Sequence, residues 1–259
     1  MPNSAIFLSD AHIGANSLSD DKARERKLIQ FLEHFAELNT DIYIVGDLYE
    51  FWFEYKEVIP NKNIPLLACL YRLAEGNAQV HYIRGNHDLW IGSFFSDELG
   101  IAVHKTAIAV KSGNKNIYVT HGDGLAAQDS GYRLLKRIFT NKLNIKLFRW
   151  IHPDLGIPLA KKFSQVSRDK GEPDFAWETQ YREFAISKLL ENFDGFIMGH
   201  THWPLHEILS QKHYINLGDW INHFTYCEAI DGNLTLKQWP SKKVYQEAKI
   251  RTDFDHHFK

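Results

Sequence analysis

Five short apolar runs, at 5–8, 42–45, 80–83, 117–119 and 196–198, each end abruptly on a polar motif. They are continuous rather than alternating and rich in Ile, Val, Phe and Tyr, the pattern of strands buried on both faces. Between them, apolar residues at helical spacing predict helices over about 21–38, 64–75 and 175–191. Beyond residue 202 the pattern changes to short strands at 205–209, 213–217, 225–230 and 234–239, which predicts a second, more antiparallel sheet. A two-sheet α/β sandwich flanked by helices is the economical architecture.

The stretch 125–171 is too long for a plain loop. Leu135, Ile138, Phe139 and Leu143 fall on one helical face, and Leu159, Phe163 and Val166 suggest another. Pro and Gly at 152–158 punctuate the segment between these two predicted helices. The expected organisation is one domain over 1–245, carrying a helical insertion at about 125–171, with a tail at 246–259.

Composition changes this picture little: 44% hydrophobic and 24% charged residues describe a globular chain and exclude global disorder. Cys69 and Cys227 stand alone in apolar stretches and are expected as buried thiols in a reducing compartment. No apolar run is long enough to span a bilayer, and the first ten residues do not resemble a signal peptide, so a cytoplasmic location is expected. Charge adds more. Between 125 and 170, ten Lys and Arg face three Asp, although the whole chain carries a formal charge of −2. A basic, amphipathic insertion in an acidic protein points to an anionic partner such as a phosphorylated substrate or a lipid surface.

The chemistry lies in the motifs that end the five runs. They are Asp10-Ala11-His12, Gly46-Asp47, Gly85-Asn86-His87-Asp88, His121-Gly122-Asp123 and Gly199-His200-Thr201-His202. Ligands just past the carboxyl ends of buried strands sit where open α/β sheets place their sites. Seven oxygen and nitrogen donors suffice for two divalent metals sharing a carboxylate. Asp47 is the expected bridge, with Asp10, His12 and His202 completing one site and Asn86, His121 and His200 the other. An N/O set without thiolate suits Mn, Fe(II), Co or Zn. Paired metals stabilise the attacking and leaving oxygens of phosphoryl transfer, and His87, oriented by Asp88, is placed to protonate the leaving oxygen.

These motifs resemble the signature of the calcineurin-like metallophosphoesterase superfamily. Glu50 and Trp52 after Asp47, then Asp129 and Gly131-Tyr132 after His121, resemble the UDP-2,3-diacylglucosamine pyrophosphatase family over nearly the whole chain. The resemblance implies a four-layer αββα sandwich and two Mn ions. It also implies cleavage of UDP-2,3-diacylglucosamine to UMP and 2,3-diacylglucosamine 1-phosphate in lipid A biosynthesis. That reaction belongs at the inner face of the cytoplasmic membrane, with the protein peripheral on it and the insertion sheltering acyl chains. By the same resemblance Asn86, His87, Asp129, Tyr132, Ser167 and Arg168 are candidates for substrate binding. One position departs from the pattern. Characterised members have Arg after the metal-binding Asn, where this chain has His87, a proton donor in place of a fixed phosphate clamp. A side branch acting on another phosphodiester or nucleotide pyrophosphate is therefore the alternative. No nucleic-acid or protein partner is implied; the insertion's apolar residues form faces rather than separated stacking aromatics.

Overall fold

The structure is a computed structural model; it describes residues 4–15, 20–126, 129–169, 175–253 and 255–258, without the side chains of 163–169, 175, 176, 255 and 258. In chain order, the strands are β1 (Ser4–Leu8), β2 (Asp41–Val45), β3 (Val80–Ile83), β4 (Ala102–His104), β5 (Ile108–Ser112) and β6 (Lys115–Val119). They continue with β7 (Gly195–Met198), β8 (Leu205–Leu209), β9 (Lys212–Asn216), β10 (Thr225–Ile230), β11 (Asn233–Gln238), β12 (Lys243–Val244) and β13 (Lys249–Arg251). The helices are α1 (Asp21–Glu37), α2 (Ile64–Ala74), α3 (Ser130–Phe139), α4 (Lys142–Phe148), α5 (Pro153–Asp169) and α6 (Phe175–Leu190). The three helices expected outside the insertion, α1, α2 and α6, end within a residue or so of their predicted limits.

Two sheets face each other, in the orders β12-β11-β10-β1-β2-β3-β4 and β13-β8-β9-β7-β6-β5. Their inner faces interdigitate through Phe7, Tyr43 and Val45 on one side and Ile117, Val119, Ile197 and Ile215 on the other. The outer face of the first sheet, with Ile6, Leu8, Ile42 and Ile44, is covered by α1 and α2 through Leu28, Phe31, Leu66 and Leu70. On the second sheet, α6 packs Tyr181, Ala185 and Leu189 over Phe196, Met198 and Tyr214. This is the expected four-layer αββα sandwich, and it explains the unalternating apolar runs: β1, β2 and β7 are buried on both faces.

The late strands differ from expectation. They do not form a sheet of their own: β8 and β9 join β7 and β6, whereas β10 pairs antiparallel with β1 and carries β11 and β12. The tight turn Asp231-Gly232, with φ of 48° and 86°, sets the β10–β11 hairpin, but nothing local specifies which sheet that hairpin extends. At 249–251, in the stretch expected as a tail, β13 pairs parallel with β8.

The insertion is three helices rather than two, and Gly156 and Pro158 lie inside α5 instead of punctuating it. Pro153 opens that helix, where its missing N–H is no loss. The apolar face also differs. Leu135, Ile138 and Leu143 point to solvent, and the insertion docks through Ile145, Phe148, Ile157 and Ala160 onto Phe51, Phe53, Tyr55 and Trp90. Phe163 and Val166 have side chains outside the described residues. Among the described residues no helix is long and apolar enough to cross a membrane.

Candidate metal centre

Parallel pairing of β1 with β2 and β3 in one sheet, and of β6 with β7 in the other, turns five strand ends toward one edge of the sandwich. Each chain then leaves its strand by a sharp bend. Asp10, His12, Asp47, His200 and His202 all have φ between 46° and 72°, a left-handed region that side chains rarely occupy. Such local strain persists only where the surroundings over-determine it. Gly46, at φ 81°, meets the His121 ring, and a Cβ on Gly85 would overlap Asp47 Oδ1, so the loops approach more closely than side chains would permit.

The result is two clusters whose ligand atoms lie within 4.8 Å of one another, Asp10–His12–His202 and Asp47–His121–His200. A third grouping, His12–Asp47–His87, joins them. Each carboxylate is anchored by one oxygen and open at the other. Asp47 Oδ1 accepts from the His87 N–H at 2.8 Å, while Oδ2 faces His121 Nε2 at 3.3 Å and His12 Nε2 at 3.8 Å. Asp10 Oδ2 accepts from the His200 N–H at 2.8 Å, and Oδ1 faces His202 Nε2 at 3.2 Å. Asn86 Oδ1 stands 3.0 Å from His121 Nε2.

These residues fit a pair of cations for a specific reason. His12 Nδ1 lies 3.0 Å from a Glu50 carboxylate oxygen and His121 Nδ1 lies 2.9 Å from the Val45 carbonyl, both of which only accept. The proton of each neutral ring is therefore on Nδ1, and both Nε2 lone pairs point at carboxylate, amide and imidazole acceptors. Asp10 Oδ1 is buried with no hydrogen-bond partner among the described residues. His12 and His121 thus turn lone pairs rather than donors toward the carboxylates, an arrangement that a cation satisfies. Without one, the site draws protons: burial opposes it, yet contact with Asp10 and Glu50 pushes His12 up to about 10. His200 goes the other way, held down to about 4 by burial and by His121.

The expected orienter of His87, Asp88, has its hydrogen bonds elsewhere. The Asp88 carboxylate accepts from the Gly85 N–H at 2.6 Å, the Tyr82 hydroxyl at 2.6 Å and the Leu48 N–H at 3.2 Å, which locks the 85–88 turn onto β2 and β3. Burial and the nearby Asp47 push its carboxyl up to about 7. It is Glu50 that meets His87, whose Nδ1 donates to the Glu50 carbonyl at 3.0 Å.

Among the substrate candidates, the Tyr132 hydroxyl donates to Asp123 at 2.5 Å, and Lys136 Nζ reaches the same oxygen at 2.5 Å. These contacts tie α3 to the loop that carries His121. Asp129 precedes α3, buried, with Oδ2 unpartnered among the described residues. Ser167 and Arg168 fall on α5, but their side chains lie outside the described residues. Sequence reasoning gave no role to the Val45 carbonyl, to Asp123 as the link to the insertion, or to Glu50 as the orienter of both His12 and His87. A Glu three residues after a strand-end Asp is visible in the sequence; a backbone carbonyl as orienter leaves no residue signal at all.

The model of the calcineurin-like phosphoesterase family matches residues 4–204. A UDP-2,3-diacylglucosamine hydrolase of Porphyromonas gingivalis is 30% identical over 246 residues, covering 88% of this chain and 94% of its own. One from Aeromonas hydrophila is 26% identical over 247 residues, covering 91% and 98%. Among solved structures, the Escherichia coli phosphoesterase Yfce superposes with a TM-score of 0.50 at 14% identity, covering 94% of this chain and 97% of that one, a likeness of fold.

Proposed function

The chain belongs to the calcineurin-like phosphoesterase family of metal-dependent hydrolases, and we propose that it cleaves the pyrophosphate of UDP-2,3-diacylglucosamine to UMP and 2,3-diacylglucosamine 1-phosphate. One juxtaposition carries this reading: two ligand clusters meeting at Asp47, joined through Asp123 to a basic insertion with exposed apolar side chains. The names of the relatives, matched over most of their length, support it.

Asp10, His12, Asp47 and His202 would hold one cation, and Asp47, Asn86, His121 and His200 the second. Bound there, two divalent ions, Mn by family resemblance, supply Lewis-acid stabilisation of the phosphoryl oxygens and activation of the attacking water. The chain's own residues do the rest. Glu50 and the Val45 carbonyl hold the His12 and His121 rings with Nε2 inward. His87 keeps its Nδ1–H on the Glu50 carbonyl and turns Nε2 to the leaving oxygen; it gives a proton there only as the imidazolium, which burial disfavours and the nearby Asp47 favours. By resemblance Asp129, Tyr132 and Ser167 would hold the glucosamine phosphate or its sugar, with Arg168 beside them for the phosphate.

A cavity of about 180 Å³ beside Ile13 suits an acylated anion. Its walls include Phe51, Trp52 and Ile157, and it also holds Lys62 and Lys161. Burial, then Lys62, holds the Lys161 ammonium below its usual range, so an anion there relieves both lysines. Leu134, Leu143, Leu147, Trp150 and Leu155 stand exposed among Arg137, Lys142 and Lys146, the composition of a surface that rests on anionic lipid. The protein is therefore read as peripheral on the inner face of the cytoplasmic membrane.

His87 favours a second reading, a side branch with the same chemistry on another phosphodiester or nucleotide pyrophosphate. Purified protein is incubated with UDP-2,3-diacylglucosamine in detergent, with Mn and then with chelator, and the products are weighed by mass spectrometry. Metal-dependent UMP with the acylated sugar phosphate is the expected result. No turnover there, with Mn-dependent cleavage of a simple aryl phosphodiester, moves the protein to the side branch.

A further inference from the structure

The two clusters are closed on most sides. The side chains of Asp10, His12, Asp47 and His121 are at most 2% exposed, whereas His202 is 31% exposed and His200 is also partly exposed, so the site opens to solvent along His200 and His202. The next residue, Trp203, is 68% exposed. Among the described residues its ring stacks on no other ring and meets no cation. An indole left in water one residue beyond a candidate ligand is a large apolar face without a ring or cation partner among the described residues.

Its backbone is held firmly. His202 before it is in the left-handed region at φ 59°, and Pro204 after it fixes its own φ and confines Trp203 to extended conformations. Pro204 packs on Gly218, where an added Cβ would stand 2.8 Å from the proline Cβ. Asn216 Nδ2 donates to Thr201 Oγ1 at 2.5 Å, and the β8–β9 pairing starts at Leu205 opposite Asn216. The segment 201–205 is thus clamped at both ends. On a fixed backbone, an aromatic with only two χ angles loses little freedom on binding, which favours a stacking platform.

We propose that Trp203 is the platform on which the base of a nucleotide substrate stacks while its phosphate lies against Asp10, His12 and His202. The inference rests on the reading that one half of the substrate is a nucleotide. An acyl chain needs an enclosed apolar chamber, and the insertion stands ready for that half. A base has two flat faces and polar edges. It covers the indole with one face and leaves its edges hydrated, which suits a single exposed ring.

The test measures binding rather than turnover. Calorimetry on the Mn-loaded protein compares UMP with ribose 5-phosphate, which has the phosphate and sugar but no base. In the wild type UMP binds roughly ten-fold tighter, the scale of one base–aromatic stack. Trp203→Ala removes that gap, Trp203→Phe keeps most of it, and ribose 5-phosphate, as internal control, moves little in either variant. Equal affinities of the two ligands in the wild type, or a gap that persists in Trp203→Ala, overturns the proposal. A Trp203-dependent gap in a protein that does not cleave UDP-2,3-diacylglucosamine upholds the platform and rejects that substrate. Cleavage of the lipid with no gap does the reverse.

Discussion

The metal-site rim and the insertion are neighbours built on opposite plans. At the rim, both carboxylates and the key imidazoles are held by a second contact: Asp10 by the His200 amide, Asp47 by the His87 amide, His12 by Glu50 and His121 by the Val45 carbonyl. In α3 and α4 no residue is buried, and the insertion rests on the core through an aromatic patch centred on Phe53, Trp90 and Phe148 and through the polar contacts of Tyr132 and Lys136 to Asp123. Phosphoryl chemistry needs groups fixed to fractions of an ångström before substrate arrives. Holding a long apolar molecule needs a surface that can yield, and loosely packed helices open locally at low free energy.

Asp47→Ala strikes the rim at the residue that links the second cluster to His12 of the first. Turnover should fall by roughly 10³-fold or more, equivalent to about 4 kcal/mol of transition-state stabilisation, with loss of bound metal. Metal content near wild type, read by elemental analysis, refutes the shared-carboxylate role.

Amide hydrogen exchange tests the contrast itself. Protection in β1 and β2 should exceed that in α3 and α4 by a factor on the order of 10³, and saturating Mn should slow the rim loops more than the insertion. Uniform protection across both regions removes the distinction.

Glu50→Gln leaves the size of the side chain and removes the charge that holds His12. Metal affinity should fall roughly ten- to a hundred-fold, as expected when the orienter of a ligand is weakened. An unchanged affinity in a chelator competition assay makes the His12 contact incidental.

The smallest effect belongs to the insertion. Phe139 meets the Trp90 ring at 5.5 Å, and its carbonyl accepts from Trp90 Nε1 at 2.7 Å. Phe139→Asp should raise KM for the acylated substrate several-fold and leave a small soluble diester little changed. Equal effects on both count against a lipid cover.

Much of the rim was legible because its information is local. Each motif is an apolar run, a bend and one to three donors within a few consecutive residues, and α1, α2 and α6 declare themselves by period. The insertion was legible as helical but not in its docking. An exposed Leu135 and a packed Phe148 obey the same helical period, and only the neighbouring surface chooses between them. Asp88 looked like the partner of His87 because it is adjacent in sequence. In space, the turn points it back at Gly85 and Tyr82, and Glu50 takes its place from across the β2 loop.

The sequence by itself determined nine of the thirteen described strands, most of the helices, the candidate donors and the kind of chemistry, since these follow from side-chain type and spacing over short stretches; β4, β5, β12 and β13 carry no such apolar run and were not legible. Tertiary structure alone decided that β10 and β11 extend the first sheet, which way the insertion faces, and which atom orients each imidazole. Those choices join residues as much as 226 positions apart, as β1 meets β10, and are settled by which surfaces and hydrogen-bond groups are left unsatisfied once the local elements exist.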